Sequence, residues 1–222
     1  MTKRVHPNSP VLESPKPMLS TAGDRCSPPP PSPPETAPVT LTVWRKSLLF
    51  NCNGFTVFDS KGNLIFRVDE YAKSGNKGQI VLMDAVGSPL LTIRRKKLSL
   101  GEHWQIYDGE APSSANPLFS VRKHVKFIQS KSLAHVIPCG SPPATATGEG
   151  FEIEGSYARR CCLVYDEKRR VVAEIRRKEA AGGVAFGLDV FRLVVQPGFD
   201  VAVAMAIVIL LEEMFGTKSS PI

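Results

Sequence analysis

The sequence predicts a mainly β fold, an antiparallel barrel closed around one buried C-terminal α-helix. Three observations lead there. Residues 201–211 form an unbroken apolar run, behind Pro197, Gly198 and Asp200 and ahead of Glu212, Glu213 and Gly216. Upstream, one hairpin unit recurs with its turn chemistry and alternating strand intact. Proline is dense only at the N-terminus, where eleven of the nineteen fall within residues 1–40, so a single body of chain is left to make the fold.

Residues 1–39 are expected to form a disordered, polyproline-like tail. Pro28, Pro29, Pro30, Pro31, Pro33 and Pro34 fix φ and remove backbone donors, so neither helix nor sheet interior can form there. The body, residues 40–216, then repeats one pattern: an apolar pair, an Asp, a four-residue turn and an alternating strand. Val57-Phe58-Asp59 leads through residues 60–63 to Leu64, Phe66 and Val68. Leu82-Met83-Asp84 leads to Leu91 and Ile93, and Val164-Tyr165-Asp166 to Val171, Ala173 and Ile175. A fourth unit, Ile106-Tyr107-Asp108, carries a longer loop before Leu118, Phe119 and Val121. Asp with Gly or Asn makes the turn, and alternation gives each strand one apolar face, which is the signature of successive antiparallel hairpins. Trp44 and Trp104 lie among alternating apolar residues and are read as core or barrel-rim packing.

Residues 138–150, with Pro142, Pro143, Gly148 and alternating Ala and Thr, read as a flexible loop within one sheet. The apolar run is too short for a membrane span, which needs about 20 residues, and has no polar face, so it is predicted to be a helix buried on all sides. Its bounds are set at 200–215, with Asp200 as N-terminal cap and Gly216 as stop. Such a helix extends roughly 24 Å, enough to thread a small barrel. Closing the sheet around it buries the helix and removes exposed strand edges together. Residues 217–222 are a short tail.

Composition bounds the function. At 222 residues and 42% apolar content the chain supports one core with appendages. The net charge is +7, of which the tail contributes +1 and the body the remaining +6, favouring anionic partners. Cys26, Cys52, Cys139, Cys161 and Cys162 show no paired spacing, and His6, His103, His124 and His135 are scattered, so neither a disulfide framework nor a metal site is expected. Nucleophile-elbow, zincin and Walker-type patterns do not occur. No cofactor is implied, and the protein is not expected to be an enzyme. The chain opens without a charged-then-apolar leader, and the expected location is cytoplasmic, peripheral to a membrane, or nuclear.

The segment Leu41-Thr42-Val43-Trp44-Arg45-Lys46-Ser47-Leu48, followed by Gly54-Phe55-Thr56-Val57-Phe58-Asp59 and Phe66-Arg67-Val68-Asp69, resembles the plant LURP-one-related proteins. So do Leu82-Met83-Asp84, Arg94-Arg95-Lys96-Lys97-Leu98, Trp104-Gln105-Ile106-Tyr107 and the closing Pro197-Gly198-Phe199-Asp200. The resemblance spans roughly residues 40 to 216. It implies a tubby C-terminal-like fold, a closed antiparallel barrel of about twelve strands around a central helix. It also implies ties to plant defence and, by kinship with tubby-like proteins and phospholipid scramblases, binding to phosphoinositide or membrane surfaces. Scrambling is not implied, because calcium-loop spacing is missing.

Two basic runs are the candidate ligand site: Arg94, Arg95, Lys96 and Lys97 behind Ile93, and Arg176, Arg177 and Lys178 behind Ile175. Arg forks onto phosphate oxygens and Lys serves as a point charge, so a mixed cluster suits a lipid headgroup. Alternation sends Arg94 and Lys96 to one face and Arg95 and Lys97 to the other, so at most two residues per run can meet one ligand. Recurring at one register, the runs are expected to converge on a rim pocket. The expected function is non-enzymatic binding to anionic, phosphoinositide-containing membrane. The alternative is a protein-interaction scaffold using the Pro-rich tail, or a nucleic-acid-associated regulatory factor.

Overall fold

The computed structural model describes residues 37–49, 53–70, 79–96, 101–112, 114–124, 131–140, 150–179 and 186–216. The predicted tail up to residue 36, residues 141–149 of the predicted loop and the closing 217–222 lie outside the described residues. Twelve strands follow in chain order: β1 (Val39–Trp44), β2 (Asn53–Phe58), β3 (Leu64–Glu70), β4 (Gln79–Asp84), β5 (Pro89–Arg95) and β6 (His103–Asp108), then β7 (Phe119–Lys123), β8 (Ser132–Pro138), β9 (Phe151–Ser156), β10 (Cys161–Tyr165), β11 (Val171–Arg177) and β12 (Val190–Val195). Helix α1 (Val201–Phe215) comes last. Each strand pairs antiparallel with its neighbours in sequence and β12 returns to β1, so the sheet closes. All of these elements lie within Glu35–Ile222, one of the two units into which the chain divides.

The hairpins form because one carboxylate organises each short turn. Asp59 Oδ1 accepts from the backbone N–H of Lys61 and Asn63, both at 2.8 Å, and Asp84 Oδ1 accepts from Val86 and Ser88 at 3.0 and 2.8 Å. Asp166 Oδ1 accepts from Arg170 at 2.8 Å. Three residues after the Asp the backbone turns left-handed, which glycine allows at Gly62 and Gly87. Arg169 holds the same place in the third turn at φ 60°. Its side chain compensates, stacking on Tyr165 at 4.3 Å and pairing with Glu152 and Glu154 at 2.9 Å.

Alternation along each strand sends Leu41, Val57, Ile93, Ile106, Ile175 and Leu193 inward against α1. The helix fills the lumen, and every residue from Val203 to Leu211 is buried. Asp200 Oδ1 accepts from Val203 N–H at 2.8 Å, as expected of the cap. Gly216 ends the helix for a different reason from the predicted one. Its φ is −64°, not left-handed, and a Cβ there would lie 2.4 Å from the Glu212 carbonyl oxygen, so glycine is required by close approach to the backbone. Among the described residues no helix is long and apolar enough to cross a membrane.

Two predictions follow from this packing. Ile207 is 1% exposed at the centre of the barrel, and an Ile207→Asp change strands a carboxylate there at a cost of several kcal/mol, comparable with a domain's stability. Its circular dichroism is expected to show an unfolded chain at 25 °C. The turn carboxylates make stability acid-sensitive. Asn63, through its side chain and backbone N–H, holds Asp59 below its ordinary pKa. Burial pushes Asp166 up, but hydrogen bonds from the backbone and guanidinium of Arg170 outweigh it and leave the carboxyl lowered. A lowered folded pKa stabilises fully above the unfolded value of about 4 and is lost as pH falls through the folded one. Calorimetry should therefore show a falling Tm from pH 5 to pH 2, and a shallower fall in the Asp59→Asn, Asp166→Asn double variant.

Candidate functional site

The repeated unit distributes charge along the barrel axis. Because the sheet runs up and down, every turn Asp lies at the mouth where the even strands end, and every basic run at the mouth where the odd strands end. Asp59, Asp84, Asp108 and Asp166 mark the first mouth, which α1 enters with its N-terminus capped by Asp200. At the second, Arg45, Lys123 and Arg160 gather around the C-terminal end of α1. Lys123 Nζ donates to the Met214 carbonyl at 2.8 Å, while Glu212 takes Arg45 at 2.8 Å and Arg160 at 3.5 Å. Arg160, only 5% exposed and left-handed at φ 52°, is held by stacking on Tyr157 and Phe191. Asp200 at the helix N-terminus and Lys123 on the Met214 carbonyl complement the macrodipole, while Glu212 in the last turn, which opposes it, is neutralised by Arg45 and Arg160.

The two basic runs share the second mouth but do not converge. β5 and β11 are separated by five strands on either path around the barrel, so they occupy opposite walls. Twelve strands spaced about 4.8 Å and tilted near 40° put those walls on the order of 20 Å apart, too far for one headgroup. Within the first run, Arg94 already has a structural role. Its guanidinium donates to the carbonyls of Ala111 and Pro112, the latter at 3.0 Å, and lies 4.9 Å from the Tyr107 ring. Arg95 and Lys96 are exposed, and Lys97 lies outside the described residues.

The second run stands in a different setting. Arg176 projects outward and pairs with Glu174 at 2.7 Å, Arg177 is exposed at the rim, and Lys178 donates to Thr42 Oγ1 at 3.3 Å beside the Phe186 ring. Directly opposite Arg176 on β12 is Arg192, which faces Thr42 on β1 in turn. One step nearer the mouth Val190 faces Trp44. Trp44 is 39% exposed, with Lys46 Nζ 5.3 Å from its ring centroid. Leu48 and Leu188 are exposed beside it, and the Arg45 N–H to Asp189 carbonyl bond of 2.7 Å ties their two segments together. Of the two tryptophans, Trp104 packs in the core and Trp44 does not. The signal was present: Leu41 and Val43 are the inward residues of β1, which sends Thr42 and Trp44 outward.

The histidines are less dispersed than their spacing implies. His124 and His135 lie with ring centroids 5.6 Å apart, and His103 Nε2 sits 2.6 Å from Ser120 Oγ. Among the described residues no group of three or more His, Cys, Asp or Glu side chains is placed to hold a metal. Cys161 faces solvent while Cys162 faces the core, where burial pushes its thiol up to about 12.

The division of labour within the first run is measurable. Arg94→Ala removes the guanidinium that satisfies the 111–112 carbonyls and should cost about 1–3 kcal/mol in urea unfolding. Arg95→Ala and Lys96→Ala should stay within about 0.5 kcal/mol of the parent protein.

Comparison with known proteins agrees with this architecture. Residues 39–212 match the family model described as LURP-one-related. Protein LURP-one-related 8 of Arabidopsis thaliana is 52% identical over 183 residues, covering 81% of this chain and 88% of that protein. Protein LURP-one-related 17 of the same plant is 42% identical, covering 79% and 83%. Among solved structures, the X-ray structure of an Arabidopsis thaliana protein shares the fold with a TM-score of 0.57 at 24% identity, covering 80% of this chain and 91% of that one. With residues 39–212 matched by the family model and curated relatives 52% and 42% identical over most of the chain, the chain belongs to the LURP-one-related family.

Proposed function

We propose that the barrel is a non-catalytic module that docks on anionic, phosphoinositide-containing membrane through the corner where β11, β12 and β1 meet the basic mouth. One observation carries this reading. Arg176 faces Arg192 across adjacent strands, one step from an exposed Trp44. Arg176 is answered by Glu174 at 2.7 Å, while Arg192 has no counter-ion among the described residues, and an anionic partner supplies the missing charge. Tryptophan beside lysine and arginine is the combination that settles at a membrane interface, the ring at headgroup depth and the cations on phosphate. Each cation near an anionic surface contributes about 1 kcal/mol, so Arg176, Arg177, Lys178, Arg192 and Lys46 together give a reversible attachment. The opposite wall has exposed Arg95 and Lys96 without an exposed aromatic among the described residues, which supports one docking corner over a ring.

The test is sedimentation with liposomes, using full-length protein. Binding to phosphoinositide-containing vesicles is expected to exceed binding to neutral ones and to weaken as salt rises. Reversal of Arg176 and Arg192 to Glu, or Trp44→Ala, should lower it, while reversal of Arg95 and Lys96 should leave most of it intact. Equal binding to neutral vesicles, or reversals without effect in folded protein, would favour the scaffold reading. Stronger retention on duplex DNA of similar charge density would transfer the partner to nucleic acid.

A further inference from the structure

The opposite mouth holds a cavity of about 690 Å³, a size typical of small-molecule sites. It opens between the ends of β5, β6, β7, β9, β11 and β12 and the first turn of α1. Its walls are apolar. Leu90, Leu118, Val172, Phe199 and Ala202 line it and are only half-buried. Phe151 joins the wall, its ring centroid 5.0 Å from that of Phe199 and 6.4 Å from that of Phe119, so three phenylalanines run along one side.

The polar groups at this cavity favour one sign of ligand charge. Among the described residues Arg170 is the cavity's one cation, and its guanidinium is taken by Asp166 at 2.7 Å. Asp108 follows Trp104 and Ile106 in the inward register of β6, and its carboxylate, exposed at the mouth, has no hydrogen-bond or ion-pair partner among the described residues. Asp200 spends Oδ1 on the Val203 N–H, covering the positive end of α1, and keeps its other oxygen. A paired arginine and two further carboxylates around an aromatic wall disfavour a fatty acid or a phosphate headgroup. They complement an ammonium group, which gains from both the carboxylates and the faces of the rings.

From this cavity we infer that the aspartate-lined mouth is a binding site for an organic cation with an apolar body, an ammonium-headed amphiphile. The apolar part covers the half-buried Leu90, Leu118, Val172 and Phe199, and the ammonium lies between Asp108 and Asp200. The site is at the far end of the barrel from the basic corner and uses none of its residues, so either reading can fail without the other.

Three probes of equal tail length decide the matter: octyltrimethylammonium, octyl glucoside and octyl sulfate, each below its micelle concentration, titrated into full-length protein by calorimetry and amide NMR. The cation is expected to bind, to shift the resonances of Leu90, Leu118, Phe151 and Phe199, and to bind at least about tenfold more tightly than octyl sulfate. Asp108→Asn with Asp200→Asn, the latter keeping a side chain able to cap the helix, should weaken the cation about tenfold and leave octyl glucoside unchanged. Ala202→Phe fills the floor and should abolish binding of all three; Val172→Phe does so from the wall if the first variant folds poorly. Octyl sulfate binding as tightly as the cation, cation binding unchanged by neutralisation or filling, or no probe shifting these resonances would overturn the assignment.

Discussion

Everything in this molecule depends on how an apolar helix with no polar face is buried. A helix that exposes one polar face can lie on a sheet, but α1 is buried from Val203 to Leu211 on every side and needs a surrounding wall. Twelve antiparallel strands supply that wall, and closure between β12 and β1 leaves the sheet with no free edge. The strands are short because the helix is: fifteen residues rise about 22 Å, and strands of five to seven residues tilted around it cover that length. Each component therefore sets the size of the other.

Up-and-down closure has an electrostatic consequence that the individual hairpins do not reveal. A unit reading Asp, turn, strand, basic run puts its carboxylate and its cations at opposite ends of the strand. Repetition around a barrel sums these into two mouths of opposite character. The helix then enters at the acidic mouth and leaves at the basic one, the orientation its own dipole prefers, with Asp200 at one end and Lys123 on the Met214 carbonyl at the other.

Much of this was legible in the residues. The apolar run fixed the helix to within one residue of Val201–Phe215, and the repeated Asp turns located the hairpins around β2–β3, β4–β5 and β10–β11, because both signals are local and periodic. The number of strands and their closure came from the family resemblance, since alternation alone does not separate a barrel from a sandwich. What remained hidden was lateral position. Ile93 and Ile175 carry equivalent registers, which fixes height along the axis and says nothing of angle around it, so two basic runs that looked ready to converge stand on opposite walls. Arg94 was hidden for a related reason: its partners Ala111 and Pro112 are carbonyls of a distant loop, which no side-chain pattern announces. The cavity is subtler still, since its shape arises from six strand ends that meet only on closure.

The departures from the repeat are concentrated where the barrel meets its surroundings. In the third unit the turn glycine becomes Arg169, held left-handed by Tyr165, Glu152 and Glu154, beside the turn that gives Arg170 to the cavity. On β11 and β12 the ordinary mixture of outward charges becomes Arg176 against Arg192, and on β1 an outward position that suits threonine becomes Trp44. Each of these costs folding stability: a strained backbone, an arginine at position 192 without a counter-ion among the described residues, an apolar ring left in water. A sequence otherwise consistent from turn chemistry to core packing has no structural reason to keep such features, and conflicts of this kind are expected at functional sites. They fall at opposite ends of the barrel, so on the two readings proposed above the wall between them separates a cation-binding mouth from an anion-binding corner.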